Sequence, residues 1–233
     1  KAMKEAWNSF FWVSFRTEPW DEYPGSAAGS FRGLPNMVFQ GEDNGAGHPG
    51  HDQCESWLEE KKIVTESISG KWKWSWDFFE DHAVLRGLKA DRDRAYWFLY
   101  EGTPGGRFDP GNTYFGTSLG GPESIRYDYY AGNIFRKPFR WIYTGHSGVN
   151  RTFYMIHCNR DELPDMASML GNTEKGMESP DGMTVFGFGR GEGVTSYLRG
   201  RQSFVIGFYP EKIDHTSGHH EFSEFVQNTY LNN

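Results

Sequence analysis

The chain has 233 residues, and 17% of them are aromatic, which is enough to stabilise one large domain with few aliphatic residues. Its net charge is −7 with acidic and basic residues interspersed, so it would repel a nucleic-acid backbone and we expect no nucleic-acid partner. No apolar stretch approaches about 18 residues, which excludes a membrane span from the sequence.

Residues 1–70 form the loop-rich N-terminal part of what we predict to be a single domain over 1–233. The chain begins at Lys1 without a signal-like apolar segment, from which we expect a processed form. The segment 48–55 reads HPGHDQCE and contains imidazole and carboxylate groups, which suit zinc, iron or manganese. Its candidate metal ligands are His48, His51, Asp52 and Glu55. Because Pro49 and Gly50 break a helix between the histidines, we expect a polar loop and no bound cofactor.

Residues 71–78 read KWKWSWDF, with an aromatic ring at every second position. In a strand this spacing places Trp72, Trp74, Trp76 and Phe78 on one face and the polar residues on the other. The rings either fill a core or form a platform for a sugar ring. Since the lysine, serine and aspartate residues of the opposite face are poorly suited to a core, the sequence favours the core interpretation.

Further strand signals, rich in aromatic and β-branched residues, follow in close succession. We predict strands at 71–79, 82–90, 95–101, 124–131, 139–145, 152–159, 183–189 and 202–209. Helical periodicity is confined to 162–170 and 220–231, and the histidine pair 219–220 opens the second of these helices. Adjacent histidines point to different helix faces, so we do not assign them a joint site. The pattern predicts an all-β fold, an antiparallel two-sheet β-sandwich (jelly roll) with a few short helices.

Several of the predicted strands carry ionisable groups beside large rings, which is the composition of a groove that binds sugars. In AYWFLYEG (95–102), Trp97 and Glu101 share one face. FRWIYTGH (139–146) supplies four further candidates, Arg140, Trp141, Tyr143 and His146. His157 lies in the strand after that, where the alternative interpretation is a satisfied core histidine. The two cysteines, Cys54 and Cys158, fit neither a zinc ribbon nor a redox pair; we expect free thiols, and the alternative is a single disulfide.

In strand density, aromatic content and length, residues 71–210 resemble the concanavalin A-like lectin and glucanase jelly rolls. The resemblance is one of architecture, because the E-x-D-x-E strand of glucanases and the RxELR-like and QxH strands of alginate lyases are missing here. It implies a carbohydrate ligand by fold analogy.

These observations lead to two hypotheses. The first is a secreted or periplasmic enzyme that cleaves a polysaccharide or oligosaccharide. Hydrolysis would use two carboxyl groups, Glu101 and Asp128. β-Elimination would use His157 or Tyr143 as the base, and Arg126 or Arg140 would hold a uronate carboxylate. His146 is a further candidate acid or base, and Trp97 and Trp141 are candidate sugar-binding rings. The second hypothesis is a non-catalytic, lectin-like carbohydrate-binding module.

Overall fold

The computed structural model describes residues 33–39, 54–102, 110–124, 135–170, 183–191 and 195–231. These ranges form fourteen strands. The strands of the first half are β1 (Gly33–Phe39), β2 (Cys54–Glu59), β3 (Lys62–Ser67), β4 (Lys73–Phe78), β5 (His82–Lys89), β6 (Tyr96–Gly102), β7 (Thr113–Thr117) and β8 (Gly120–Ser124). The others are β9 (Phe135–Arg136), β10 (Trp141–His146), β11 (Thr152–His157), β12 (Met166–Leu170), β13 (Met183–Phe188) and β14 (Ser203–Tyr209).

The strands pair antiparallel in two sheets, which confirms the predicted sandwich. The large sheet has the order β2-β3-β4-β5-β14-β11-β10-β7-β8, and the small sheet has the order β1-β6-β13-β12-β9. Seven of the eight predicted strands coincide with observed ones. The exception is the strand predicted at 124–131, because residues 125–134 lie outside the described residues.

The core lies between the two sheets and is built largely from aromatic rings. Trp72, Trp74 and Trp76 are 0%, 2% and 2% exposed, which confirms that this row of rings is core. Phe98 of the small sheet stacks on Phe204 of the large sheet with ring centroids 4.0 Å apart. Such pairs add to the stability gained from burying their area.

A helix covers part of the outer face of the large sheet. It is α1 (Thr216–Val226), followed by a π-helical turn (Gln227–Leu231), and a short 3-10 helix (Pro110–Asn112) precedes β7. The N-terminus of α1 is capped by His215, whose Nδ1 accepts a hydrogen bond from the Gly218 N–H at 2.9 Å. The predicted helix at 220–231 is therefore confirmed, with an earlier start. No helix in the described part of the chain is long and apolar enough to cross a membrane.

Phe222 and Val226 of α1 are fully buried. They join a second apolar cluster on the outer face of the large sheet. Its members from that sheet are Val84, Tyr114, Trp141, Tyr143, Tyr154, Ile156 and Val205. The large sheet is thus covered on both faces, by the small sheet on one side and in part by α1 on the other.

The helix predicted at 162–170 is wrong, because residues 166–170 form β12. β12 pairs with β13 and β9, with Ala167 opposite Phe186 and Phe135. Met166, Ala167 and Ser168 are all buried. A short strand covered on both faces has no apolar–polar alternation, so periodicity alone cannot distinguish it from a helix.

Asp165 fixes the loop before β12 from a fully buried position. Its two carboxylate oxygens accept backbone N–H groups of Phe139 and Gly189, each at 2.8 Å. Burial nevertheless raises the pKa of Asp165 from 3.8 to about 7, although both hydrogen bonds favour the charged form.

This shift predicts a loss of stability as the pH rises. Folded Asp165 keeps its proton up to about pH 7, whereas the unfolded carboxyl loses it near pH 3.8, so the free energy of unfolding should fall through that window. The limit for one such group is about 4 kcal/mol. In urea denaturation, the free energy of unfolding of Asp165→Asn should depend less on pH than that of the parent. The variant should also be less stable, because the asparagine amide nitrogen cannot accept one of the two backbone N–H groups. Equal slopes for Asp165→Asn and the parent would refute the assignment.

Candidate active site

The outer face of the large sheet holds a buried tyrosine–histidine pair. Tyr143 lies on β10 and is 1% exposed, and His219 lies in the first turns of α1 and is 8% exposed. Tyr143 Oη is 2.9 Å from His219 Nδ1. The tyrosine hydroxyl donates this hydrogen bond when His219 carries its proton on Nε2. The two residues are 76 positions apart, so the docking of α1 on the sheet creates the pair.

Two glycines make room for the Tyr143 ring. Gly116 of β7 lies opposite Tyr143 in the ladder. A Cβ at Gly116 would collide with the Tyr143 ring and hydroxyl, and a Cβ at Gly121 would lie 3.1 Å from the hydroxyl and 3.3 Å from His219 Nδ1. Gly121 also has a φ of +150°, which L side chains rarely adopt. The hairpin of β7 and β8 is therefore shaped around this hydroxyl.

Aromatic rings surround the pair. Trp141 stacks on Tyr143 with centroids 6.1 Å apart and an interplanar angle of 16°, and it lies 5.5 Å from the His219 ring. Phe222 meets both Trp141 and Tyr143 edge-on, at 5.3 Å in each case. The polar atoms of the pair thus lie among large apolar surfaces.

This environment favours the uncharged forms of both residues. Burial raises the pKa of Tyr143, and the nearby Tyr114 and Glu123 raise it further. Burial also lowers the pKa of His219, with a smaller contribution from the charge of His220. In the neutral pair the hydroxyl holds a proton that it can donate, and the imidazole keeps one nitrogen that can accept a proton.

Of the predicted site residues, the structure brings Arg140 and His157 together elsewhere, at one end of the sandwich. His157 Nε2 lies 3.0 Å from Gln202 Oε1, and Nδ1 lies 3.6 Å from Asp161 Oδ2. The His157 ring is buried against Phe204 at 4.8 Å, and burial lowers its pKa. Nε2 is therefore hydrogen-bonded within the protein and Nδ1 lies near a carboxylate, which matches the interpretation as a core histidine.

Arg140 lies beside this histidine. Its backbone oxygen accepts the His157 N–H at 2.8 Å, and its Nη2 donates to the Cys158 carbonyl at 3.0 Å. Burial raises the pKa of the Cys158 thiol, although the charges of Arg86 and Arg140 lower it. Cys158 carries a free thiol, as the sequence predicts.

Three further candidates lie on β10 and β6. His146 is the last residue of β10, and its Nδ1 accepts the Gly148 N–H at 3.0 Å. Trp97 is buried on β6, with the Arg190 guanidinium 5.9 Å from its ring centroid. Glu101 follows on the same strand, and its backbone lies between Gly33 and Val185 in the small sheet.

Five candidates lie outside the described residues, namely His48, His51, Asp52, Arg126 and Asp128. Glu55, the fourth member of the histidine-rich loop, is exposed on β2. Within the described ranges, no group of three histidine, cysteine, aspartate or glutamate side chains is arranged to hold a metal ion.

His219 is the functional candidate that the sequence analysis missed. It shares a helical stripe with Phe222 and Val226, at spacings of three and seven residues. Both of these partners are buried against the sheet. Extending this stripe by one turn toward the N-terminus from Phe222 assigns His219, and not His220, to the buried face of the helix.

No family model matches the chain, and no curated protein matches it. Three solved structures are similar. A xanthan lyase of Paenibacillus has 14% identity and a TM-score of 0.47 over 84% of this chain and 20% of its own. The protein HI1317 has 14% identity and a TM-score of 0.45 over 86% of this chain and 80% of its own. A bacterial glucoamylase complexed with acarbose has 10% identity and a TM-score of 0.40 over 90% of this chain and 32% of its own. This chain thus spans about a fifth of the xanthan lyase and a third of the glucoamylase.

Proposed function

We propose that this protein is a carbohydrate-active enzyme in which Tyr143 and His219 transfer protons as a pair. The observation that carries the proposal is the 2.9 Å hydrogen bond between Tyr143 Oη and His219 Nδ1 in a buried, aromatic environment. Burial favours the neutral form of both groups, which suits them to take a proton from a substrate and return it. Trp141 is 1% exposed and packs on both members of the pair.

Within this class we favour β-elimination on a uronic acid residue of a polysaccharide. In that reaction the base removes the C5 proton, the C4–O bond breaks, a C4–C5 double bond forms, and the departing oxygen gains a proton. Tyr143 Oη would take the C5 proton while passing its own proton to His219 Nδ1. The imidazolium then returns a proton through Tyr143 to the departing oxygen. Burial makes an isolated tyrosinate costly, so His219 accepts the proton in the same step.

A uronate carboxylate needs a cation to hold it, and we assign this role to Arg126. Arg126 and Asp128 follow Ser124, the last residue of β8. Hydrolysis by Glu101 and Asp128 stays the second reaction class. We also propose that the protein belongs to the concanavalin A-like superfamily. Its location would be secreted or periplasmic, where it can reach polysaccharide.

A non-catalytic carbohydrate-binding module is the second candidate function. It is favoured by one observation, that predicted acids and bases such as His157 already bind protein partners in the described structure. In such a module the aromatic rings would bind a sugar and the Tyr143–His219 pair would only stabilise the docking of α1.

A panel of uronate-containing and neutral polysaccharides separates these alternatives. β-Elimination predicts new absorbance from unsaturated uronate together with new reducing ends. Hydrolysis predicts new reducing ends without that absorbance. Binding of a polysaccharide with neither signal would contradict the enzyme and support the module.

The lowered pKa of His219 predicts the acidic limb of the pH–rate profile. Elimination needs neutral His219 as the proton acceptor, and its pKa lies below the ordinary value of 6.5. We therefore expect kcat/KM to hold down to about pH 6.5 and to fall only at lower pH. Circular dichroism at each pH serves as the control for folding. An acidic limb centred above pH 6.5 in folded protein would contradict the role of His219.

A further inference from the structure

A pair of stacked rings, of which one is half exposed, lies at the turn between β4 and β5. Phe79 and His82 flank the two-residue turn, and the Phe79 N–H donates to the His82 carbonyl at 2.9 Å. Their rings stack with centroids 4.6 Å apart and an interplanar angle of 12°. Phe79 is 52% exposed. Cross-strand partners beside a tight turn share a face, and here the Phe79 ring is open to solvent while the His82 side chain is 19% exposed.

The His82 ring, on which Phe79 stacks, also contacts Asp81 and Tyr230. His82 Nδ1 lies 2.6 Å from Asp81 Oδ1, and the edge of Tyr230 meets the His82 ring at 5.5 Å and 74°. Tyr230 is anchored in turn by a 2.9 Å hydrogen bond between its hydroxyl and that of Tyr154. The surface, which we name the Phe79 platform (Phe79, Asp81 and His82), is therefore largely ordered before any ligand binds, and this lowers the entropic cost of binding.

The charges beside the rings define what the Phe79 platform would bind. Glu80 and Asp81 form the turn itself, and both are exposed. Carboxylates accept hydrogen bonds from hydroxyl groups but repel anions. A pyranose ring offers an apolar face to stack on an aromatic ring and hydroxyls at its edge. We propose that the Phe79 platform binds an uncharged pyranose residue of a polysaccharide.

This inference rests on the proposed function only in taking the ligand to be a carbohydrate. His82 pairs with Gly207, Gly207 pairs with Tyr154, and Tyr154 pairs with Tyr143, so all of these positions share one face of the large sheet. The Phe79 platform and the Tyr143–His219 pair thus lie on the same side of the molecule. Together the two proposals indicate a polysaccharide that contains both neutral and uronic residues.

Calorimetric titration with cellohexaose, mannohexaose, laminarihexaose, xylohexaose and hexagalacturonate tests the platform. We expect at least one neutral hexaose to bind, and Phe79→Ala to weaken that binding by about tenfold or more. Leu119→Ala is the matched control, because Leu119 is 56% exposed at the turn between β7 and β8. It should change the dissociation constant by less than about twofold, within the range of neutral surface substitutions. Asp81→Asn should weaken binding as well, since it removes the charge that orients His82.

Three results would overturn the platform. The first is that no neutral hexaose binds, and the second is that Phe79→Ala binds with the same affinity as the parent. The third is that hexagalacturonate binds more tightly than the neutral hexaoses and that Phe79→Ala abolishes this binding. The titrations are repeated in a Tyr143→Phe background, where the platform is intact. Neutral-sugar binding that depends on Phe79, in a protein that cleaves nothing on the panel, would support the platform and contradict only the proposed enzyme. Uronate elimination without neutral-sugar binding would support the proposed enzyme and contradict only the platform.

Discussion

Replacing Trp74 with alanine should lower the free energy of unfolding by about 3–5 kcal/mol. Trp74 is 2% exposed and lies in the core cluster between the two sheets. Truncating its side chain removes the transfer free energy of the indole and leaves a cavity that neighbouring rings cannot fill, because their packing on adjacent strands is fixed. Denaturation by urea, monitored by circular dichroism, measures the loss.

Leu58→Ala is the matched control in the same sheet. Leu58 lies on β2 and is 51% exposed, so its truncation should change the stability by about 0.5 kcal/mol or less. A Trp74→Ala protein that unfolds like the parent but has lost affinity for glycans would show that the row of tryptophans is a binding platform. The core assignment would then be wrong.

Tyr143→Phe should lower kcat by about 10²–10⁴-fold on the best substrate, with a smaller effect on KM. The substitution removes the hydroxyl that meets the substrate proton and keeps the ring that packs on Trp141. Loss of one buried hydrogen bond costs about 1 kcal/mol of stability, so the variant should remain folded. Steady-state kinetics and a melting curve on the same preparation provide both values.

Tyr96→Phe separates the loss of catalysis from the loss of a buried tyrosine hydroxyl. Tyr96 is fully buried, and its hydroxyl donates to the Gly200 carbonyl at 3.0 Å, in the small sheet and away from the pair. This variant should lose similar stability and keep kcat. If Tyr143→Phe keeps full turnover, the centre lies elsewhere, and the next substitutions are Glu101→Gln and His157→Asn.

Much of the sandwich follows from local sequence. The alternation in 71–78 predicts both the strand and its buried face, because a period of two can only place alternate rings on one side of a sheet. The same period of two separates Trp141 and Tyr143 from Ile142 on β10, and both lie on the outer face of the large sheet. Strand register and sheet order did not follow, since they depend on pairings between distant segments such as β5 and β14.

The error at 162–170 and the missed histidine have related physical causes. β12 is buried on both faces, so its residues give no strand alternation to read. His219 becomes part of a site only when α1 docks on the outer face of the sheet and places Nδ1 beside Tyr143. Local periodicity reports which face of a helix is apolar, but not the surface that this face will cover. The exposure of Phe79, next to the buried ring row, likewise depends on the turn that follows it.

The most direct test of the proton-transfer pair is a double-mutant cycle on kcat with Tyr143→Phe, His219→Asn and the double variant. Asparagine can still accept a hydrogen bond near the position of Nδ1, but it cannot take up a proton at neutral pH. If the two side chains act as a unit, each single variant should lose about 10²–10⁴-fold and the double variant should lose no more than the worse single one. Multiplicative losses in the double variant, or full turnover in His219→Asn, would contradict a shared proton and with it the proposed centre.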